Sequence, residues 1–316
     1  IGIGYLAMVA CQIDREFTYQ SARDLLVLNS FLEPDSLIAI SLTKTGPAPL
    51  QESTFEVVSD GIIQLFENDS LVGLPAFDEH SQQYLLNYTP LPGKKYSLIA
   101  EVEGYSTLSA STSVPHLPDI TGCFSLAADQ RGCTSCQYSQ VNLSFKNTKP
   151  NSRFWLTIYS LQFGRKEPFG RDSSIVERRY GGLYSKSTLP DPFNSANDEG
   201  NISYDPYIRI HTETNQPSDF LVDIFGLGYW SSYQFDDLQQ LDPRLGLYTV
   251  VMHASPEFDQ YMKDIVINER NDVDLIDGVP NPFAQRVSVF SNIENGVGIF
   301  AGYHPIVIPT HQQQCK

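Results

Sequence analysis

Cysteines are the residues of this sequence whose spacing most directly suggests chemistry. Four of the five follow the arrangement Cys123-x9-Cys133-x2-Cys136 with Cys315 far downstream, and Cys11 stands apart from them. Four cysteines allow three disulfide pairings, and the sequence does not choose among them. A zinc site with four cysteine ligands is the sharper alternative, but structural zinc sites usually combine two close pairs, whereas Cys315 has no close neighbour. We therefore expect at least one disulfide, with metal binding and free thiols as the alternatives.

An acidic segment, NDVDLIDG (271–278), begins like a calcium-binding loop. With Asp272 and Asp274 at positions 1 and 3 of an EF-hand, Ile276 falls at position 5 and Phe283 takes the place of the bidentate Glu. The segment therefore fails as an EF-hand. We expect a solvated turn here and no metal site, with a looser calcium site as the alternative.

Sequence motifs of common hydrolases do not occur in the chain: G-x-S-x-G and H-E-x-x-H are both missing. The six histidines are scattered, and the closest pair, His304 and His311, has no acidic residue between its members. The glycine-rich segment 296–302 misses the dinucleotide-binding spacing by one residue. Two carboxylates could still meet in the fold for acid–base work, which a sequence cannot show. We therefore predict no enzyme and no cofactor.

Aromatic residues cluster directly after Gly226-Leu227-Gly228, which predicts a break in a strand followed by a loop. Aromatic side chains on loops often anchor ligands or partners, although core packing is their more common role. The candidate binding residues in this cluster are Tyr229, Trp230, Tyr233 and Phe235.

Basic residues are concentrated only between residues 164 and 182, a polar stretch that includes Arg178 and Arg179. In the whole chain 37 acidic residues outnumber 21 basic ones, which gives a net charge of −16. Nucleic acid is excluded as a partner because its phosphates require a basic face. We expect the basic stretch to be solvated, with docking to an acidic partner as the alternative.

The elements that must position these residues are predicted to be mostly strands. A hydrophobic fraction of 41% indicates a folded chain, and 316 residues are enough for two domains. Short alternating runs separated by turn residues predict an all-β fold of two β-sandwich domains. Strands are predicted at 25–32, 36–45, 61–69, 82–89 and 95–105, and then at 141–147, 153–163, 207–213, 219–227 and 246–254.

One helix interrupts this pattern. Ser255 is a good N-cap, Pro256 suits the first helical position, and apolar residues recur with helical spacing from Phe258 to Val266. We interpret this apolar stripe as core packing. The predicted organisation is a signal-peptide remnant (1–10), a lipid-anchor tether (11–22), an immunoglobulin-like or transthyretin-like sandwich (23–115), a linker (116–122), and a larger C-terminal β-rich domain with long loops (123–316).

The first ten residues, IGIGYLAMVA, carry no charge and contain small residues near their end, which is typical of the apolar region of a secretory signal peptide. Met8-Val9-Ala10-Cys11 resembles a bacterial lipobox, in which cleavage precedes a cysteine that becomes acylated. Several acyl chains hold a soluble body at a membrane, because each buried CH₂ contributes ~0.8 kcal/mol. We expect Cys11 to be the lipid-attachment site. The alternative is a buried first strand with an ordinary core cysteine.

A family resemblance covers nearly the whole chain. NPFAQRVSVFSNIENGVGIFAGY (281–303) resembles the closing motif of the domain-of-unknown-function 4249 family of Bacteroidota lipoproteins. The stretches LLVLNSFLEPDSLIAISLTKT and LPGKKYSLIAEVEGYSTLSASTSVP are similar to that family's N-terminal strands. The closing motif is carried by Ser291, Asn292, Ile293, Gly296, Gly298, Ile299, Phe300 and Tyr303, and we expect these residues to be structural.

The resemblance implies a location and a neighbour more than a reaction. It implies an outer-membrane, lipid-anchored protein, exposed at the cell surface or facing the periplasm, that acts as an accessory or ligand-capturing subunit of a TonB-dependent receptor. The ligand is not implied. An adhesive or structural surface protein that binds other proteins or matrix is the alternative hypothesis, and an undetected enzyme is the third.

Overall fold

The computed structural model describes residues 25–45, 55–128, 137–166, 170–179, 184–185, 207–213, 218–229, 242, 244–273, 275–276, 279–280, 287–309 and 315. These residues form an all-β fold with one helix, as the sequence predicted. The strands of the N-terminal half are β1 (Leu26–Leu32), β2 (Ile38–Lys44), β3 (Glu56–Val57), β4 (Ile62–Glu67), β5 (Ser70–Gly73), β6 (Ala76–Asp78), β7 (Gln83–Leu86), β8 (Lys95–Glu101) and β9 (Leu108–Ser113).

The C-terminal half contains the longer strands and the helix. Its elements are β10 (Asp119–Ala128), β11 (Gln137–Lys146), β12 (Arg153–Lys166), β13 (Gly170–Arg179), β14 (Tyr184–Ser185), β15 (Ile208–His211), β16 (Phe220–Tyr229), β17 (Gly246–Ala254), α1 (Pro256–Val273), β18 (Leu275–Ile276), β19 (Val279–Pro280) and β20 (Val297–Ile308).

The N-terminal half is a sandwich of two sheets. Strands β1, β2, β7 and β6 form one sheet, and β5, β4, β8 and β9 form the other. Every second side chain of β1 is buried, because successive side chains of a strand point to opposite faces. Leu28 of β1, Ile40 of β2 and Leu98 of β8 are fully buried in the core that these sheets share.

The C-terminal half is a second sandwich. Strands β12, β15 and β17 face β10, β11 and β16 across a core that contains Leu156, Val251, Leu143 and Val222. The opposite face of β12 and β17 is covered by α1, where Trp155 packs in a third cluster with residues of the helix. Both hydrophobic faces of this sheet are therefore buried.

Helix α1 begins as predicted, with Ser255 as its N-cap: the Phe258 N–H donates to Ser255 Oγ at 3.2 Å. The predicted apolar stripe is core, since Phe258 and Val266 are buried against β12 and β20. No helix in the described part of the chain combines the length and apolarity needed to cross a bilayer.

Strand β20 joins the two halves. Its first part, 297–302, runs parallel to β1, and its second part, 303–308, runs antiparallel to β17. The resulting ladder is continuous from β13 through β20 to β6. The predicted C-terminal domain (123–316) thus supplies a strand to the N-terminal sheet.

Three local expectations differ from the structure. Residues 114–118 lack regular secondary structure, but β10 begins at Asp119, inside the predicted linker. Between the predicted strands 153–163 and 207–213, where no strand was predicted, the structure has β13, because backbone pairing with β12 does not require apolar side chains. The glycines at 226 and 228 lie within β16 and do not end it, since glycine can occupy a strand at a cost in entropy.

Candidate functional site: a polar groove between the two halves

The closing motif fastens β20 to the edge of the N-terminal sandwich. The side chain of Asn292 pairs with the backbone of Phe300, donating to its carbonyl at 2.8 Å and accepting from its N–H at 2.9 Å. The same amide group lies 3.2 Å from the carbonyl oxygen of Ser111 in β9. Glu294 adds a backbone hydrogen bond to Ser109 at 2.8 Å. The motif therefore acts as a clamp between β9 and β20.

Past the clamp, β20 crosses the end of β9 at Gly302. A Cβ at this position would lie 2.3 Å from the carbonyl oxygen of Ser113, so the crossing requires glycine. The Gly302 N–H donates to Thr112 Oγ1 at 3.1 Å, and its carbonyl accepts from the N–H of Ser255 at 2.9 Å. Strand β9, strand β20 and the first turn of α1 meet at this point.

A groove of about 400 Å³ opens beside this meeting point. Its walls come from the turn between β4 and β5, the beginning of β8, the end of β9 and the first turn of α1. Almost every lining residue is polar, and the lining comprises Asn68, Asp69, Lys95, Tyr96, Ser97, Ser111, Thr112, Ser113, Pro256 and Glu257.

Thr112 fixes the helix wall of the groove. Its buried hydroxyl donates to Glu257 Oε2 at 2.9 Å while it accepts the Gly302 N–H, and Ser255 Oγ lies 3.2 Å away. Glu257 lies in the first turn of α1, where the positive end of the helix dipole favours a carboxylate. One carboxylate is thereby held at a fixed place on the wall.

The strand wall presents side chains in a regular pattern. Ser97 is the register partner of Ser111, and Lys95 is the partner of Ser113, so all four side chains lie on one face of the β8–β9 pair. Within the described part of the chain, these four side chains have no hydrogen-bond or ion-pair partner in the protein. Their donors and acceptors face the groove and solvent.

Behind the groove, the half-buried carboxylate of Glu67 stiffens the turn between β4 and β5. Both Tyr88 and Tyr96 donate their hydroxyls to Glu67 Oε2. The hydrogen bond from Tyr88, followed by that from Tyr96, holds the pKa of the Glu67 carboxyl below its usual value. Asn68, the next residue, lies in the groove wall and accepts the Lys95 N–H through Oδ1 at 3.2 Å.

The side chains of the groove offer hydrogen-bond donors, hydrogen-bond acceptors and charges to a ligand. No three His, Cys, Asp or Glu side chains in the described ranges converge to hold a metal ion. Among the same residues, no His or Cys lines the groove to serve as a base or thiolate nucleophile. Hydroxyls, one ammonium and two carboxylates suit reversible recognition of a polar molecule.

Comparison with known proteins identifies the family. The family model described as "Domain of unknown function (DUF4249)" matches residues 13–305. The chain belongs to the DUF4249 family. Among curated proteins no match is found.

In this DUF4249 chain several motif residues pack in the core or lie on β20. Ile293 is buried in the N-terminal core, and Ile299 and Phe300 are buried in β20. Tyr303 stacks on Phe258 of α1 with ring centroids 4.7 Å apart and donates its hydroxyl to Glu33 at 2.7 Å. The motif lies beside the groove but contributes no side chain to its lining.

Of the predicted disulfide candidates in the DUF4249 chain, Cys123 is bonded to Cys315, with sulfur atoms 2.10 Å apart. Cys133, Cys136 and Cys11 lie outside the described residues. Cys123 pairs in register with Asn142, whose neighbours on β11 are buried, so the bond lies on the outer face of the sheet. The solitary position of Cys315 in the sequence gave no sign of this partner.

The disulfide closes a long loop, with a sequence separation of 192 residues. Because closing a loop lowers the entropy of the unfolded chain, Cys315→Ser is expected to lower the free energy of unfolding by about 3 kcal/mol. Denaturant unfolding of the oxidised protein, the reduced protein and the variant measures this. The reduced protein and the variant should unfold at one midpoint, and an unchanged midpoint on reduction would contradict the expectation.

The other candidate binding residues belong to strands of the C-terminal half or lie outside the described residues. Tyr229 is the last residue of β16, while Trp230, Tyr233 and Phe235 lie outside the described residues. Arg178 and Arg179 lie on β13, where they are the register partners of Ser160 and Tyr159 of β12. Their roles as ligand or partner contacts stay predictions.

The structure also brings together histidines that are far apart in the sequence. His253 of β17 and His304 of β20 are register partners, and their Nδ1 atoms face the carbonyl oxygens of His116 and Pro115 at 2.5 and 3.1 Å. Because a carbonyl only accepts, we assign the proton of each ring to Nδ1. The two rings fasten the segment that connects the two halves.

Acidification should lower the stability of the fold, because it places a charge on the buried ring of His253. Burial lowers the pKa of His253 to about 4 from 6.5, helped by the charges of Lys149 and Arg153 and by His304, and opposed by the hydrogen bond to His116. The unfolded chain therefore binds the proton more readily, so stability is complete above pH 6.5 and falls between about pH 6.5 and 4 by on the order of 2 to 3 kcal/mol.

The measurement is denaturant unfolding at a series of pH values for the wild type and for His253→Gln, which removes the titrating ring. The wild type should lose more stability than His253→Gln across this pH range. His80→Gln, at an exposed turn, serves as the control and should follow the wild type. Identical pH profiles for the wild type and His253→Gln would contradict the assignment.

Proposed function

We propose that this DUF4249 protein is an outer-membrane lipoprotein, anchored through Cys11, that captures a ligand and assists its import by a TonB-dependent receptor. The lipid anchor places the body at the membrane, and the body supplies a binding groove. In this role the protein acts by reversible binding and catalyses no reaction.

The observation that carries the capture role is the groove between the two halves. The backbone of its walls is held by strands and by a capped helix, and the carboxylate of Glu257 is held by Thr112, so the wall is formed before a ligand arrives. Preorganisation of this kind lowers the entropic cost of binding. The four side chains on the strand wall have no partner within the described residues, which leaves their donors and acceptors for a ligand.

Two further observations support the location. The Cys123–Cys315 disulfide suits an oxidising compartment, because thiols of cytosolic proteins are kept reduced. The segment before Cys11 resembles a signal peptide with a lipobox, and the acidic chain suits a surface that does not bind nucleic acid. The receptor as partner rests on the family resemblance.

The location is tested by metabolic labelling with a fatty acid in the native host, followed by separation of the membranes. We expect label on the wild type in the outer-membrane fraction, and neither label nor membrane association for Cys11→Ser. An unlabelled wild type that is recovered in the soluble fraction would overturn the anchor.

The partner is tested by affinity purification of the tagged protein from mildly solubilised native membranes. We expect a large β-barrel receptor to co-purify, and deletion of the gene for this chain to reduce uptake of that receptor's substrate. A deletion strain that keeps uptake but loses attachment to surfaces would overturn the import role and favour adhesion.

A further inference from the structure

The strand wall of the groove has a chemical pattern that specifies a class of ligand. Ser97 and Ser111 face each other across the β8–β9 pair, and Ser113 continues the row beside Lys95. Side chains opposite each other on neighbouring strands are about 5 Å apart, and those two residues apart along a strand about 7 Å. Three hydroxyls thus form a compact patch on one face.

A hydroxyl is both a donor and an acceptor, which distinguishes this wall from a site for an ion. A molecule with several neighbouring hydroxyl groups can form hydrogen bonds with all of these serines, because each hydroxyl of the molecule can donate to a serine or accept from it. On the adjacent turn, the amide of Asn68 adds a hydrogen-bond donor and the carboxylate of Asp69 adds an acceptor for the hydroxyl groups of such a molecule. A purely apolar ligand would leave all of these groups without partners.

The charges of the groove disfavour strongly ionic ligands. One ammonium, Lys95, stands against two carboxylates, Asp69 and Glu257, so a phosphate or sulfate group would meet a net negative wall. Glu257 already accepts a hydrogen bond from Thr112, which fixes one of its oxygens. Carboxylates and ammonium groups are good partners for neutral hydroxyls, because hydrogen bonds to charged groups are stronger than neutral ones.

We propose that the groove binds a small polyhydroxylated molecule of the saccharide class, recognised through Ser97, Ser111 and Ser113 with Lys95 and Asp69 beside the patch. This inference rests on the proposed capture role and names the ligand class for the same groove. The volume of about 400 Å³ lies in the range of small-molecule sites, about 300 to 1,000 Å³. Among the described residues the lining has no exposed aromatic face, since Tyr96 is buried, so a dissociation constant of about a millimolar is expected.

The test uses the purified chain and a panel of probes: glucose, galactose, mannose, maltose and lactose, with glycine, lysine and glutamate as amino acid probes. Saturation-transfer NMR detects binding, and titration gives the dissociation constant. We expect at least one sugar to bind and the amino acids not to compete. Absence of transfer to every sugar, or stronger binding of an amino acid, would overturn the proposal.

Variants locate the binding in the groove. Each neutral hydrogen bond that is lost lowers affinity about 2- to 12-fold, so Ser97→Ala with Ser111→Ala should weaken sugar binding about 10-fold. Lys95→Met, at an exposed position, is an independent second variant and should weaken it by a similar factor. The matched controls are Ser106→Ala and Lys146→Met. Ser106 lies in the exposed turn at the other end of the β8–β9 hairpin, and Lys146 lies on the exposed surface of β11. Both controls should leave the affinity for sugar within about 2-fold of the wild type.

Thermal unfolding of each variant is measured alongside, so that a loss of fold is distinguished from a loss of contact. Equal affinities for the wild type and for both groove variants would overturn the assignment to this groove. These results are separate from the test of the membrane role. If the protein binds sugar but co-purifies with no receptor, the import role is refuted and the ligand class stands. If it co-purifies with a receptor but binds no sugar, the ligand class is refuted and the import role stands.

Discussion

Replacement of Gly298 by alanine is expected to lower the free energy of unfolding by about 4 kcal/mol or more and to abolish most soluble protein at 37 °C. Gly298 has a φ of +119°, a conformation that L side chains rarely adopt. A Cβ there would lie 2.1 Å from the carbonyl oxygen of Leu28, its register partner on β1. Because that neighbour is backbone in a central strand, it cannot move aside without breaking the ladder that joins the two halves.

Gly104→Ala is the matched control for this change. Gly104 also has a positive φ, +84°, but no atom lies within 4 Å of the place where its Cβ would stand. It should therefore cost only the backbone strain of a left-handed alanine, about 1 to 2 kcal/mol. Denaturant unfolding of both variants compares the two costs. Equal losses of stability in the two variants would contradict the close approach of the β20 backbone to β1 at Gly298.

Neutralising Asp259 is expected to produce the second large effect, a loss of about 3 to 5 kcal/mol in Asp259→Asn. The carboxylate is buried in the first turns of α1 and binds Arg209 of β15 in a bidentate pair at 2.7 and 2.8 Å. Trp155 Nε1 donates to it at 3.0 Å, and Lys263 Nζ lies 3.3 Å away. Burial opposes ionisation of the carboxyl, yet these partners, Arg209 foremost, keep the pKa of Asp259 below its usual value.

The reason for the large cost is the lost charge pair. Arg209 is buried and cannot lose its proton, so an amide at position 259 removes the carboxylate that pairs with its guanidinium between β15 and α1. Glu269→Gln, on the exposed surface of the same helix, is the control and should change stability by less than about 0.5 kcal/mol. Equal stabilities of Asp259→Asn and Glu269→Gln would show that this ion pair does not hold the helix.

Both changes should also disturb the groove without touching its lining. Gly298 lies on the strand that leads to the crossing at Gly302, and Asp259 lies two residues after Glu257. Any residual folded protein should therefore bind the sugar probes more weakly than the wild type. If a destabilised variant bound the sugar probes as strongly as the wild type, the groove would form independently of β20 and α1.

Much of the fold could be predicted from the sequence because its signals are local. The strand predicted at 246–254 matches β17, and Ser255-Pro256 marked the beginning of α1, since alternation and capping depend only on residues close together in the chain. The predictions of the linker and of a strand break at the glycines were less accurate. A strand can begin among polar residues, as β10 does, or include a glycine such as Gly226, when a neighbouring strand offers hydrogen bonds. The family could also be predicted, from the closing motif around Gly296, Gly298 and Phe300.

The groove could not be predicted in this way. Its lining comes from residues 68 to 257, and alternating serines in LSASTS (108–113) were the only local sign that one strand face is rich in hydroxyls. Likewise, the pairing of Cys123 with Cys315 and of His253 with His304 depends on strands whose partners are distant in the chain.

The sequence by itself determined the all-β class, the helix start and the family, because each rests on composition, short periodicity or a contiguous motif. Only the tertiary structure decided that β20 changes partners from β1 to β17 and so brings β9 against α1. The physical reason is that a strand's local pattern specifies which face is buried, whereas its partner is chosen by long-range packing and by close backbone approach at Gly298 and Gly302.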